Sequence, residues 1–224
     1  MNWVEKSVDR SKTLRNHYKM HDIDIYIKDP LSSGVNVNFV FQTISKIIPA
    51  HLLSGVDIIY IGQFDMFKKK QVNALYQDSA IYLTNIQETD EDMIDDIVHE
   101  IAHSVEEVYG NVIYDDSSLR REFLGKRERL YNILDANGLK PPQDLRRNYH
   151  YNKDIDVYLY KSVGYETMWG AISGLFLSPY STTSLREYFA IGFEEYFMGN
   201  KKTIRTFCPY LFSKLETVES MGEK

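Results

Sequence analysis

Five consecutive residues, His99-Glu100-Ile101-Ala102-His103, form an H-E-x-x-H pattern. Neutral imidazoles are ligands for zinc, and residues four apart lie on one face of a helix, so His99 and His103 can share one ion. Glu100 projects about 100° round the helix from His99. It can reach a metal-bound water as a base without being a ligand itself. Coincidence on an amphipathic helix is one competing reading. A structural zinc site is the other, but such sites usually draw on cysteine and close all four positions. The chain has one cysteine, Cys208. Two histidines and a carboxylate would leave a position open, which is the catalytic arrangement.

A third protein ligand is then required. The remaining histidines are His17, His21, His51 and His150, and none stands shortly after His103. A glutamate on a later helix is the natural alternative. Glu187 is the candidate, within Ser184-Leu185-Arg186-Glu187-Tyr188-Phe189-Ala190. Ser184 and Glu187 also match the S-x-x-E capping box, in which the glutamate merely bonds a backbone N–H. Spacing does not separate ligand from cap, and Glu194 and Glu195 are rivals on the same helix.

The elements that must position these groups read as follows. The charged opening stretch to about Met20 is expected to be helical. Ile23–Ile27 alternates and reads as a strand, as do Val56–Ile61, Val72–Tyr76 and Ile81–Thr84, the last two flanking a Gln77-Asp78-Ser79 turn. Val35–Ile48 has helical spacing and is followed by Pro49. Thr89 caps an acidic first turn, after which Ile94, Ile97, Val98, Ile101, Val105 and Val108 recur at helical spacing, with Gly110 as the expected stop. Further helices are expected over Leu119–Leu134, Ser184–Met198 and Thr203–Val218. Asn148–Gly164 is rich in tyrosine and charge and receives no assignment. Strands and helices first, then mostly helices, is an α+β order.

Several blocks in this order resemble the catalytic domain of anthrax lethal factor and the related clostridial Pro-Pro endopeptidases. They are Gly55–Ile61, Leu75-Tyr76 with Ile81-Tyr82-Leu83, the run from Ile97 through the metal motif to Gly110, and Tyr180 with Glu187–Ala190 and Phe193. The two metal segments are the specific ones. In that family a tyrosine stands seven residues before the glutamate ligand, as Tyr180 does before Glu187. The resemblance implies a zincin-like fold, with a small mixed sheet packed on the metal-binding helix and a mostly helical C-terminal lobe. It implies one domain over 1–224, divided at about 88/89 into a sheet-bearing lobe and a lobe with the metal helix. It also implies one zinc ion on His99, His103 and Glu187, Glu100 as general base, and the Tyr180 hydroxyl as a donor to an oxyanion. The implied activity is zinc endopeptidase action on a protein or peptide. An extended substrate is expected along an exposed strand edge near Ile81–Thr84, by analogy with zincin peptidases. Two departures stand out. Ile191 occupies a position that is often acidic in the family, and the chain between His103 and Glu187 is long, with the excess over Gly138–Leu177. That segment is a candidate lid, specificity wall or plain extra surface.

Composition narrows the classes. The 224 residues are 43% hydrophobic, enough for a sizeable core, and the formal net charge is −6, a poor match for nucleic acid or an anionic membrane. The basic runs Lys68–Lys70, Arg120-Arg121, Lys126–Arg129 and Arg146-Arg147 read as solvated faces. The lone Cys208 reads as a small buried hydrophobe. No apolar leader or spanning segment is apparent, so a cytoplasmic start is expected, with non-classical export or phage association as alternatives. A partner chain for delivery belongs to the toxin-like reading. A catalytically silent zincin-fold component of a larger assembly is the principal rival.

Overall fold

The computed structural model describes residues 16–70 and 72–223. The chain divides into two compact units, Met1–Val108 and Tyr109–Lys224. Its architecture is α+β: a small mixed five-stranded sheet, with the remainder mostly helical. No helix among the described residues is long and apolar enough to cross a membrane.

The first unit is built on the sheet. β1 (Asn16–Met20) and β2 (Ile23–Ile27) form a hairpin, and β3 (Ile58–Ile61), β4 (Ala74–Gln77) and β5 (Ala80–Leu83) complete the order β1-β2-β3-β5-β4. β2, β3 and β5 run parallel, while β1 and β4 are antiparallel edges. Strand alternation sends Ile25, Ile27, Ile59, Ile61, Ile81 and Leu83 into the core. The other face carries Tyr26, Tyr60 and Tyr82 in register, stacked at 5.9 and 5.4 Å between ring centroids. Two expectations are corrected here. Asn16–Met20 is a strand, because it pairs residue for residue with β2; the rest of the expected opening helix lies outside the described residues. β5 is not an edge. The Asp78-Ser79 turn, both residues at positive φ, folds β4 back along its outer side.

α1 (Val37–Ile47) is capped by Asn36, whose side chain accepts the Phe39 N–H, and it buries Val37, Val40, Phe41 and Ile44. α2 (Asp65–Lys70) is short and exposes its lysines. α3 (Asp90–Tyr114) carries the metal motif. Thr89 and Asp92 cap it reciprocally: the Asp92 N–H donates to Thr89 Oγ1 and the Thr89 N–H to Asp92 Oδ2, each at 3.1 Å. Met93, Ile97, Val98, Ile101 and Ala102 are fully buried. Each of the larger of these side chains contributes roughly 1.5–3 kcal/mol by leaving water. Gly55 lies so close to α3 that a Cβ there would stand 3.1 Å from the Ser104 carbonyl oxygen and 3.0 Å from Val108. α3 breaks at Tyr109 (φ −111°, ψ 15°), one residue before the expected stop at Gly110, and a second helical piece continues across the kink to Tyr114.

The second unit is helical. α4 (Ser118–Ala136) ends before Gly138, whose φ of +77° reverses the chain. The unassigned tyrosine-rich stretch is helical: α5 (Lys153–Val157) runs into a π-helical turn, Tyr158–Val163, and α6 (Tyr165–Ala171) follows. α7 (Leu185–Phe197) carries Glu187. The single helix expected over Thr203–Val218 is two, α8 (Lys201–Phe207) and α9 (Pro209–Ser220). Pro209 cannot donate an N–H and forces Cys208 out of the helical region (φ −133°, ψ 59°). Cys208 is fully buried, as expected.

The run Lys126–Arg129 is not simply a solvated face, because Lys126 is 7% exposed and Arg127 is completely buried. Backbone carbonyls account for this. Lys126 Nζ donates to the carbonyls of Leu175 and Phe207, the latter at 2.6 Å, and Arg127 donates to those of Asn148, Thr182 and Thr183.

Two stability predictions follow from this unit. A Cβ on Gly192 would stand 2.9 Å from Leu211 Cγ and closer still to Cδ2, with Leu211 fully buried. Gly192→Ala should therefore cost about 1–3 kcal/mol, read as a lowered urea midpoint. The Asp116 carboxylate accepts the N–H and hydroxyl of Ser118 at 2.9 and 2.7 Å, and Lys214 lies 2.9 Å away. These bonds, the Ser118 N–H first, hold its carboxyl well below the usual range. A depressed carboxylate stabilises above its unfolded pKa of about 4 and loses that contribution as pH falls towards the folded value. Asp116→Asn should thus be less stable than the parent at neutral pH, with the gap closing below about pH 4 in acid titrations of stability.

Candidate metal centre

His99 and His103 occupy successive turns of α3, with ring centroids 4.9 Å apart and planes at 86°. His103 is buried and His99 half-buried. They lie on the face of α3 opposite the apolar stripe that anchors the helix, so packing and the presentation of both imidazoles follow from one periodicity.

The orientation of His103 has a specific cause. Its Nδ1 lies 2.7 Å from Glu106 Oε2, and both side chains are buried. A carboxylate only accepts, so Nδ1 carries the proton and Nε2 keeps its lone pair for an ion. Sequence reasoning missed Glu106, although its i+3 spacing after His103 was visible. Near His99, burial pushes the Asp96 carboxyl up, opposed by the Gln87 amide 2.9 Å away and by the His99 ring.

Glu100 is 6% exposed, and its Oε2 accepts the backbone N–H of Tyr76 at 2.5 Å. The outer strand β4 is thereby tied to the helix at the residue beside His99. The Tyr76 hydroxyl donates to the Gly55 carbonyl at 3.0 Å; burial first, and then the Glu107 carboxylate, push its pKa up.

In the second unit Ser184, extended at φ −157°, caps α7: its Oγ accepts the Glu187 N–H at 3.2 Å. The serine half of the capping box is therefore present. His99, His103 and Glu187 each offer a ligand atom, all within 4.8 Å of one another, a group that can hold a metal ion. Glu195 serves elsewhere, accepting the Asn200 N–H at 2.9 Å. Tyr180 begins a 3-10 turn, Tyr180–Thr182, and is 38% exposed; its carbonyl accepts the Thr183 N–H and hydroxyl at 3.0 and 2.8 Å. His17 pairs with Asp24 at 2.8 Å, and the His150 ring lies tilted against Tyr149 with centroids 4.1 Å apart.

Two imidazoles and one carboxylate are a donor set that suits zinc with a position left open. No protein-family model, curated protein or solved structure matches the chain. Because Glu106 orients a ligand, Glu106→Ala should weaken zinc binding about 10–100-fold with the fold retained, measured by competition with a chromogenic chelator.

Proposed function

We propose that the protein is a zinc-dependent endopeptidase with a zincin-like catalytic fold, similar to lethal factor and the Pro-Pro endopeptidases. The observation that carries the proposal is the convergence of His99, His103 and Glu187, with Glu100 adjacent to the first ligand. Supporting it are the oriented imidazole of His103 and an outer strand, β4, tied directly to Glu100.

In this reading His99, His103 and Glu187 hold the ion. Zinc, when bound, supplies a Lewis acid that polarises the scissile carbonyl and brings the pKa of a water down to about 7. Glu100 takes the proton of the attacking water and passes it to the leaving amine. Tyr180 donates a hydrogen bond to the oxyanion of the tetrahedral intermediate. The substrate adds in extended form to the outer edge of β4, rather than to β5, which has neighbours on both sides. A peptide carbonyl then takes the Tyr76 N–H, and the Glu100 carboxylate is released for proton transfer.

The test is a diverse peptide library digested by the zinc-loaded protein and read by mass spectrometry, with Glu100→Gln as the comparison. The parent is expected to produce new fragments. Glu100→Gln should bind zinc as tightly and cleave about 10²–10⁴-fold more slowly. Equal cleavage by both would remove Glu100 from the chemistry. Tight zinc binding with no cleavage by the parent would favour an interaction protein that keeps the site.

A further inference from the structure

The most deeply buried charge in the second unit is Arg127, which has no exposed surface. Its four hydrogen bonds all go to backbone carbonyls. Nε donates to Thr182 O at 2.8 Å, Nη2 to Thr182 O at 2.5 Å and to Thr183 O at 2.6 Å, and Nη1 to Asn148 O. The guanidinium lies over the Phe123 ring, 4.8 Å from its centroid. Burial lowers its pKa to about 9, which leaves it protonated at neutral pH.

Three of these bonds go to one stretch, at Thr182 and Thr183, and the fourth to Asn148. Residues 181–184 are nearly inaccessible, at 0, 0, 2 and 2% exposure, yet they belong to neither a long helix nor a strand. Such a stretch needs donors from outside itself. Short-range bonds meet part of the need: Thr182 Oγ1 donates to Pro179 O, and Ser181 Oγ to Ser178 O. The guanidinium adds two donations to Thr182 O and one to Thr183 O, from a rigid planar fork that a lysine ammonium on its flexible stem lacks. A second tie runs beside it, from the Leu185 N–H to Tyr149 O at 2.8 Å. The stretch is flanked by Tyr180 on one side and by the Ser184 cap and Glu187 on the other.

We propose that Arg127 is a positioning residue for the metal centre: by holding the carbonyls of Thr182 and Thr183, it sets where α7 starts and hence where Glu187 and Tyr180 are presented. The inference rests on the reading of Glu187 as a ligand. It goes beyond it by assigning the geometry of that ligand to a residue with no contact to the ion.

The experiment compares the parent with Arg127→Lys, Arg127→Met and a control, Leu215→Ala, which destabilises the same unit from a buried site on α9. Zinc affinity is read by chelator competition, and ligand geometry by the visible spectrum of the cobalt(II)-loaded proteins. The expected result is a zinc affinity about 10–100-fold weaker in Arg127→Met with an altered cobalt spectrum, partial recovery in Arg127→Lys, and parental values in Leu215→Ala. Parental affinity and spectrum in Arg127→Met would overturn the proposal. So would failure of both Arg127 variants to fold while Leu215→Ala folds, since Arg127 would then serve the whole unit rather than the site. If the parent itself binds no zinc, the ligand reading fails separately. The local role is then read by hydrogen exchange: loss of protection confined to residues 180–187 in Arg127→Lys supports it, and unchanged protection there overturns it.

Discussion

Two imidazoles can share an ion from one helix only if that helix is held rigidly by the face that carries neither of them. α3 meets this constraint with a continuous buried stripe, Met93, Ile97, Val98, Ile101, Ala102 and Val105. The residues that immobilise the helix are interleaved in sequence with His99, Glu100 and His103. His99 and His103 follow the same 3.6-residue period, displaced round the axis. The close passage of Gly55 and the bond from Tyr76 to Glu100 add contacts that a looser helix would lose.

The carboxylates of the candidate site are held in distinct ways. Glu106 accepts from His103 and so sets its tautomer, while Glu100 holds a strand-edge N–H and is kept beside the ligands without joining them. Glu187 takes its position from a cap one turn earlier. Glu106 and Glu100 each accept from a named donor, whereas Glu187 is placed through its backbone N–H, so the same residue type is held in three different ways.

The second unit relies on buried cations where a regular hydrogen-bond ladder is missing. Lys126 and Arg127, adjacent on α4, each satisfy carbonyls from distant segments, and Lys126 also lies 3.4 Å from Cys208 Sγ. Burying such charges is costly in a low-dielectric interior unless their donors are used. Here they are used on irregular backbone that would otherwise be left unsatisfied. One of the two segments served by Arg127 leads directly into the helix that carries Glu187.

The strands β2 and β3, the metal helix with its Thr89 cap, and the shared face of His99 and His103 were all legible in the sequence, because each depends on residues within a few positions of one another. Glu106 was equally local and simply went unread. What lay beyond the sequence was non-local. The spacing of Ser184 and Glu187 fits both a cap and a ligand, and only the folded chain brings the carboxylate to the two histidines while leaving the serine as the cap. The hairpin of β4 and β5 was apparent, but which strand joins β3 and which becomes the edge depends on a parallel pairing made across the chain. A run of basic residues has no local mark that tells a solvated lysine from one wrapped in carbonyls. The burial of Lys126 and Arg127 was decided by segments 21 to 81 residues away in sequence, whose carbonyls became partners only when tertiary packing removed water from them.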